Sequence, residues 1–190
     1  MKKTVFILSG PAGVGKTTIW KALEKNDPKV EKIITSTTRK PRDGEVHGVD
    51  YYFLDRQDFL DGIESGDFIE HAYVHGDNIY GSTHAELERV LSHDKFPFYI
   101  VEPQGMKSLT PTLKEKGYNV ISVFILPPSM EVLEERLGGR GTEGEDEKNT
   151  RLCTAKNEIA CKDLYKYHIV NDDLDHAVQE IQNIIDTYAI

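Results

Sequence analysis

Thr4 to Ser9 (TVFILS) form an apolar run that leads directly into Gly10, Pro11, Ala12, Gly13, Val14, Gly15, Lys16, Thr17 and Thr18. No other stretch constrains the chain as strongly. It matches G-x-x-x-x-G-K-[ST] at every fixed position, with a strand pattern before it and a helical pattern after it. The glycines let backbone N–H groups turn inward around phosphate oxygens, and the following helix offers its N-terminus to the same anion. Lys16 can reach the β- and γ-phosphates, and the Thr17 hydroxyl can join a Mg²⁺ shell. Taken alone, the loop calls for ATP or GTP with Mg²⁺ and for an α/β domain that opens strand–loop–helix.

At 190 residues the chain has room for one such domain with small inserted lobes. A net charge of −9 sets the molecule as a whole against nucleic-acid backbones, although a local basic cluster suffices for a small phosphorylated molecule. No apolar run approaches the length of a membrane span. The opening MKKTVFILSG has the lysines and apolar run of a signal peptide, but the run is short and ends in the phosphate loop rather than at a small-residue cleavage site. A cytoplasmic location is therefore expected. Cys153 and Cys161 are too few for a disulfide framework and wrongly spaced for zinc, and buried thiols on a helix are expected.

Further apolar runs at 98–101 (FYIV), 120–126 (VISVFIL) and 168–170 (HIV) suit a parallel sheet buried on both faces. Helices are expected from Lys16 to Lys25, after a Ser129 cap, and from Asp173 onward, where Leu174, Ala177, Val178, Ile181, Ile184, Ile185 and Tyr188 make a helical stripe. Two regions break the alternation. Residues 35–82 are polar, turn-rich and aromatic, as in a small inserted lobe. Residues 138–149 (GGRGTEGEDEKN) are glycine-rich and charged, as in a flap between two helices. A core with a lobe and a flap suggests an enzyme that closes over its substrate.

In the lobe, Arg39 and Arg42 lie three apart with Tyr51 nearby. Two guanidinium groups and a phenol can clamp one phosphate through paired charge-assisted bonds. A solvated basic turn reads equally well from this stretch by itself. His71 and His75 are four apart, but on a strand-like stretch that spacing does not bring two metal ligands together as it does on a helix.

The stretch STTRKPRDGEVHGVDYYF (36–53) resembles the nucleoside-monophosphate-binding segment of guanylate kinases. So, in the family's order, do GPAGVGKTT (10–18), FIEHAYVHGDNIYGS (68–82), FILPPS (124–129), ERLGGRGT (135–142), RLCTAKNEIA (151–160) and VNDDL (170–174). The resemblance implies an α/β, three-layer P-loop NTP hydrolase-like fold with a central parallel sheet, an inserted GMP-binding lobe and a mobile lid. The core would be residues 1–34, 84–137 and 150–190, the lobe 35–83 and the lid 138–149. It implies ATP and Mg²⁺, with GMP or dGMP as acceptor and no nucleic acid, membrane or obligate protein partner.

Residue by residue, Arg39, Arg42, Tyr51 and Tyr80 match the family's clamp on the GMP phosphate, and Glu70 matches the carboxylate that reads guanine. Thr35 and Ser82 match small hydroxyl positions beside base and phosphate. Arg136, Arg140 and Arg151 match the arginines that gather on the transferring phosphates, beside Lys16. Asn171 falls where the family meets adenine. The acceptor oxygen is already anionic, so the chemistry asks for alignment and charge neutralisation and not for a general base.

The chain departs from the family pattern before Gln104 and Gly105. Ile100 stands where the first of two acids is usual, and Glu102 takes the place of the second among the substrate-binding positions. This motivates an alternative, a kinase with an altered acceptor range. A non-catalytic interaction module is the other alternative, but such modules typically have degraded phosphate loops, and Gly10, Gly15, Lys16 and Thr17 are intact.

Overall fold

The computed structural model describes residues 3–74, 77–138 and 145–189, with the side chains of all of these except 74, 138 and 145–149. The first elements are β1 (Thr4–Ser9), α1 (Lys16–Asn26), β2 (Val30–Lys32), β3 (Ser36–Thr37), β4 (Tyr52–Phe53), α2 (Arg56–Glu64), β5 (Phe68–Val74) and β6 (Asn78–Thr83). Then come α3 (His84–Ser92), β7 (Phe96–Ile100), α4 (Pro103–Glu115), β8 (Asn119–Leu126), α5 (Met130–Gly138), α6 (Glu145–Ile159), β9 (Tyr167–Val170) and α7 (Leu174–Tyr188). Two compact units are present. One comprises Met1–Val5, Lys29–Tyr99 and Gln104–Val120, and the other Phe6–Pro28, Ile100–Pro103 and Ile121–Ile190.

The apolar runs become a five-stranded sheet of order β2-β7-β1-β8-β9. In it β2 is parallel to β7 and β8 parallel to β9. Val5 to Ser9 of β1 and Ile121 to Ile125 of β8 are buried without a break, as covering on both faces requires. Ile19, Trp20 and Leu23 are the buried side of α1. Ala177, Val178, Ile181 and Ile185 are the buried side of α7, whose cap is Asp173, its Oδ1 accepting the His176 N–H at 2.9 Å. The Gln182 amide donates to Asp27 Oδ2 at 2.8 Å, tying α7 to the residue that ends α1. Among the described residues no helix is long and apolar enough to cross a membrane.

A second sheet, of order β4-β3-β6-β5, occupies the polar 35–82 region. Its β3 is parallel to β4 and antiparallel to β6, and β5 and β6 are antiparallel. Two-residue strands such as Ser36–Thr37 are too short to show a period in sequence. Stacked Phe59 and Phe68 rings, 4.3 Å apart, hold α2 against β5. Gly81 leaves room for them, because a Cβ there would lie 2.8 Å from both the Glu70 carbonyl and the Phe68 ring.

The expectation of buried thiols is not met. Cys153 is exposed on α6, and Cys161 lies past the end of that helix, half-buried, its Sγ donating to the Asn157 carbonyl at 3.5 Å. Because α6 stops at Ile159, Cys161 lies off the helix that carries Cys153, and the two cysteines do not share a helix face. Of segment 138–149, Gly138 closes α5 and residues 145–149 open α6. Residues 139–144 lie outside the described residues, and with them Arg140, as does His75.

Gly10 shows what the phosphate loop demands of its backbone. Its φ is +152°, and a Cβ there would sit 2.5 Å from the Ile125 carbonyl on β8. The neighbour is strand backbone and cannot swing away. Gly10→Ala is expected to lower unfolding stability by about 2–4 kcal/mol in a denaturant melt. A midpoint equal to the parent's would mean that the loop relaxes freely.

Candidate active site

Within the second unit, β1 delivers the chain into the loop, and Gly15, in the left-handed region at φ 102°, turns it into α1. Lys16 folds back over the loop. Its Nζ donates to the Gly10 carbonyl at 2.6 Å and the Pro11 carbonyl at 3.1 Å. Desolvation lowers the Lys16 pKa, and the charges of Glu102 and Glu158 partly oppose that shift. Glu158 of α6 also reaches the loop backbone, accepting the Ala12 N–H at 3.3 Å. Thr17 and Thr18 are exposed in the first turn of α1.

Arg136 and Asn171 brace the same loop. Arg136 Nη1 donates to the Val14 carbonyl at 3.4 Å and Nη2 to the Asn171 carbonyl at 3.2 Å. Asn171 is buried, and its side-chain amide donates to the Val14 carbonyl at 2.8 Å. The structure thus sets the Asn171 amide on the loop backbone. A Cβ on Gly15 would come within 2.6 Å of Asn171 Nδ2, so this contact needs the glycine. Arg151 lies half-buried on α6. Glu102 sits between β7 and α4, in the unit of the loop, where Lys16 feels its charge.

The first unit gathers the remaining candidates on its four-stranded sheet. Strand alternation puts Tyr80 and Ser82 on one face of β6, and register sets Glu70 opposite Ser82. The Ser82 hydroxyl donates to Glu70 Oε1 at 3.0 Å. Burial pushes the Glu70 carboxyl up to about 7, although hydrogen bonds from Ser82 pull the other way. Thr35 and Ser82 are both buried, and Thr35 precedes β3 directly.

Arg39 is held on several sides. Its Nε donates to the Tyr80 hydroxyl at 3.1 Å, and Nη1 and Nη2 bind both oxygens of Glu45, each at 2.9 Å. Burial alone would lower the Arg39 pKa, but its bonds to Glu45 and Tyr80 outweigh that and raise it. The guanidinium lies 5.5 Å from the centre of the Tyr51 ring, which meets the Tyr80 ring edge-on at 5.9 Å. Arg42 is exposed, and its backbone N–H donates to Glu45 at 2.7 Å. Arg39, Tyr51 and Tyr80 therefore converge, with Arg42 alongside through Glu45.

Sequence reading missed Glu45 and Glu158. Glu45, three residues after Arg42 in a basic turn, had a usable signal, since an acid at that spacing can return to cap both arginines. Glu158 had none, because its loop partner is 146 positions away.

A parallel sheet whose first strand enters a glycine loop closed by a lysine and followed by a helix defines a P-loop nucleotide-binding protein. The family model described as guanylate kinase matches residues 2–188. The chain is 39% identical over 184 residues to the guanylate kinase of Rickettsia felis, covering 97% of this chain and 93% of that protein. To the guanylate kinase of Clostridioides difficile it is also 39% identical over 184 residues, covering 97% and 87%. The crystal structure of guanylate kinase from Anaplasma phagocytophilum superposes with a TM-score of 0.79 at 33% identity, over all of this chain and 87% of that one. The chain belongs to the guanylate kinase family.

Proposed function

We propose that the protein transfers the γ-phosphoryl group of ATP to GMP, and to dGMP, releasing ADP and the guanosine diphosphate, as a step of purine nucleotide metabolism in the cytoplasm. The reading rests above all on Glu70, a half-buried carboxylate beside a buried serine, on the sheet that also carries Tyr80, with Arg39 and Tyr51 beside it. Guanine offers two adjacent N–H donors on its Watson–Crick edge, which one carboxylate accepts together. Adenine would set a lone pair against that carboxylate, and a polar group left unpaired there costs about 1–3 kcal/mol, more when charged.

In this reading residues 35–83 are the acceptor lobe, with Thr35 and Ser82 near the base and Arg39, Arg42, Tyr51 and Tyr80 on the phosphate. Glu45 holds Arg39 in one rotamer before the phosphate arrives, which lowers the ordering cost of binding. Residues 10–18 hold the ATP phosphates, and Asn171, which braces that loop, lies toward the adenine. Arg136 and Arg151 gather charge on the phosphates, a role the family resemblance also gives to Arg140 in the 138–149 lid, of which 139–144 lie outside the described residues.

Among the described residues no group of three or more His, Cys, Asp or Glu could hold a metal by itself. The exposed Thr17 hydroxyl beside the loop fits an ion that arrives with the nucleotide. Bound Mg²⁺ would neutralise phosphate charge, with Thr17 among its ligands.

GMP-dependent release of ADP from ATP, measured across a panel of nucleoside monophosphates, tests the proposal. Failure of both GMP and dGMP while another monophosphate reacts overturns it. Arg42→Ala is expected to raise KM for GMP about tenfold, the loss of one charge-assisted phosphate contact, and to leave KM for ATP within about twofold. Equal shifts in both would contradict the phosphate clamp.

A further inference from the structure

Glu86, in the first turn of α3, is 4% exposed, so its carboxylate is a buried charge away from the residues assigned above. Every bond it makes points to one place. Oε1 accepts the Ile34 N–H at 2.9 Å and Arg89 Nη2 at 2.8 Å, and Oε2 accepts Arg89 Nε at 2.9 Å and the Tyr52 hydroxyl at 3.3 Å. Its own N–H is capped by the Thr83 hydroxyl at 3.3 Å. Ile34 precedes Thr35, Tyr52 follows Tyr51, and Thr83 follows Ser82. The carboxylate thus ties the backbone beside Thr35 to the side chain of the residue beside Tyr51, while the Glu86 backbone N–H, capped by Thr83, starts α3 next to Ser82. The Tyr52 N–H closes the junction by donating to the Thr35 carbonyl at 2.9 Å.

The far side of the junction is anchored too. Arg89 also donates to Glu31 of β2, and Glu31 pairs with Lys95 at 3.2 Å and with His93 at 3.1 Å. A buried carboxylate with all its acceptor positions filled is rigid, and removing one partner leaves a donor stranded. A core that needed only packing would place an apolar side chain here at lower desolvation cost.

We propose that Glu86 is a positioning residue for the acceptor nucleotide, its carboxylate setting Thr35 and Tyr51 relative to one another without touching GMP. The proposal rests on the acceptor assignment given under Proposed function. Gln in place of Glu86 keeps the shape but turns an N–H₂ donor toward Ile34, Tyr52 or Arg89, so the junction loosens.

The test is steady-state kinetics of the parent, Glu86→Gln and Tyr52→Phe, each well below its own thermal midpoint. Glu86→Gln is expected to raise KM for GMP about tenfold, a displacement effect, with KM for ATP and saturated kcat within about twofold. Tyr52→Phe, which loses a single bond, is expected to raise KM for GMP about twofold to threefold, and it alone decides the matter if Glu86→Gln does not fold. A purely structural Glu86 would reduce the active fraction, lowering apparent kcat with KM for GMP untouched, and that result overturns the inference. So does a parallel rise in both KM values. A parent chain with no GMP-dependent turnover overturns the acceptor assignment itself, and this inference with it.

Discussion

Lys16→Ala is expected to lower kcat for phosphoryl transfer by about 10²–10³-fold, the usual cost of removing one preorganised donor from the charge that develops in the transition state. The structure gives the reason for so large an effect. The Lys16 ammonium is held against the Gly10 and Pro11 carbonyls, its pKa lowered by desolvation. A cation partly shielded from water interacts with phosphate more strongly than a fully solvated one. In the proposed role the charge follows the phosphoryl group in flight, so the loss should fall on kcat more than on either KM. The same assay, run with Lys16→Met, separates catalysis from mere binding. Turnover surviving in both variants at the parent's rate would show that the loop lysine has no part in the chemistry.

Glu70→Gln is expected to reduce kcat/KM for GMP by about 10–100-fold, the loss of a charge-assisted hydrogen bond at a half-buried position, and to narrow the preference for guanine over adenine. A pH signature accompanies it. In the free protein burial raises the Glu70 carboxyl to about 7, against a reference of 4.5. The folded chain therefore keeps a proton that the unfolded chain releases between these values. The contribution of Glu70 to stability falls as pH rises through that window, by roughly 3 kcal/mol at most, and is level above it.

GMP, offering two donors, favours the ionised carboxylate, so binding expels the proton below about pH 7. KM for GMP should fall as pH rises from about 5.5 to about 7.5 and then flatten. The acceptor phosphate has its own ionisation near pH 6 and titrates in both proteins. The part of the profile that disappears in Glu70→Gln belongs to Glu70. Profiles of the same shape in both would remove the carboxylate from base recognition.

How much was legible in the sequence differs from one part of the molecule to another. Thr4–Ser9, the start of α1 and the α7 stripe lie where their patterns place them, because β1 is an unbroken apolar run ending in the glycine loop, α1 follows that loop directly, and α7 carries one helical period behind an Asp173 cap. Residues 35–82 were legible as a break in the alternation but not as a sheet. Strands of two residues, Ser36–Thr37 and Tyr52–Phe53, carry no alternation to read. The cysteines misled, since their spacing spoke about partners and not about the end of α6 at Ile159.

The phosphate loop was determined by the sequence alone, because its glycines, lysine and threonines act through backbone that is local to them. The arginine and tyrosines that meet around Arg39 were likewise readable. What only the tertiary structure decided is how those groups are held. Glu45 reaches back to Arg39, Ser82 bonds Glu70 across β5 and β6, Asn171 takes the Val14 carbonyl, and Glu86 joins Ile34 to Tyr52. The physical reason is that a buried polar group must find its partner wherever the fold brings one. For most of these groups that partner lies a dozen to more than a hundred residues away, beyond the reach of any local pattern.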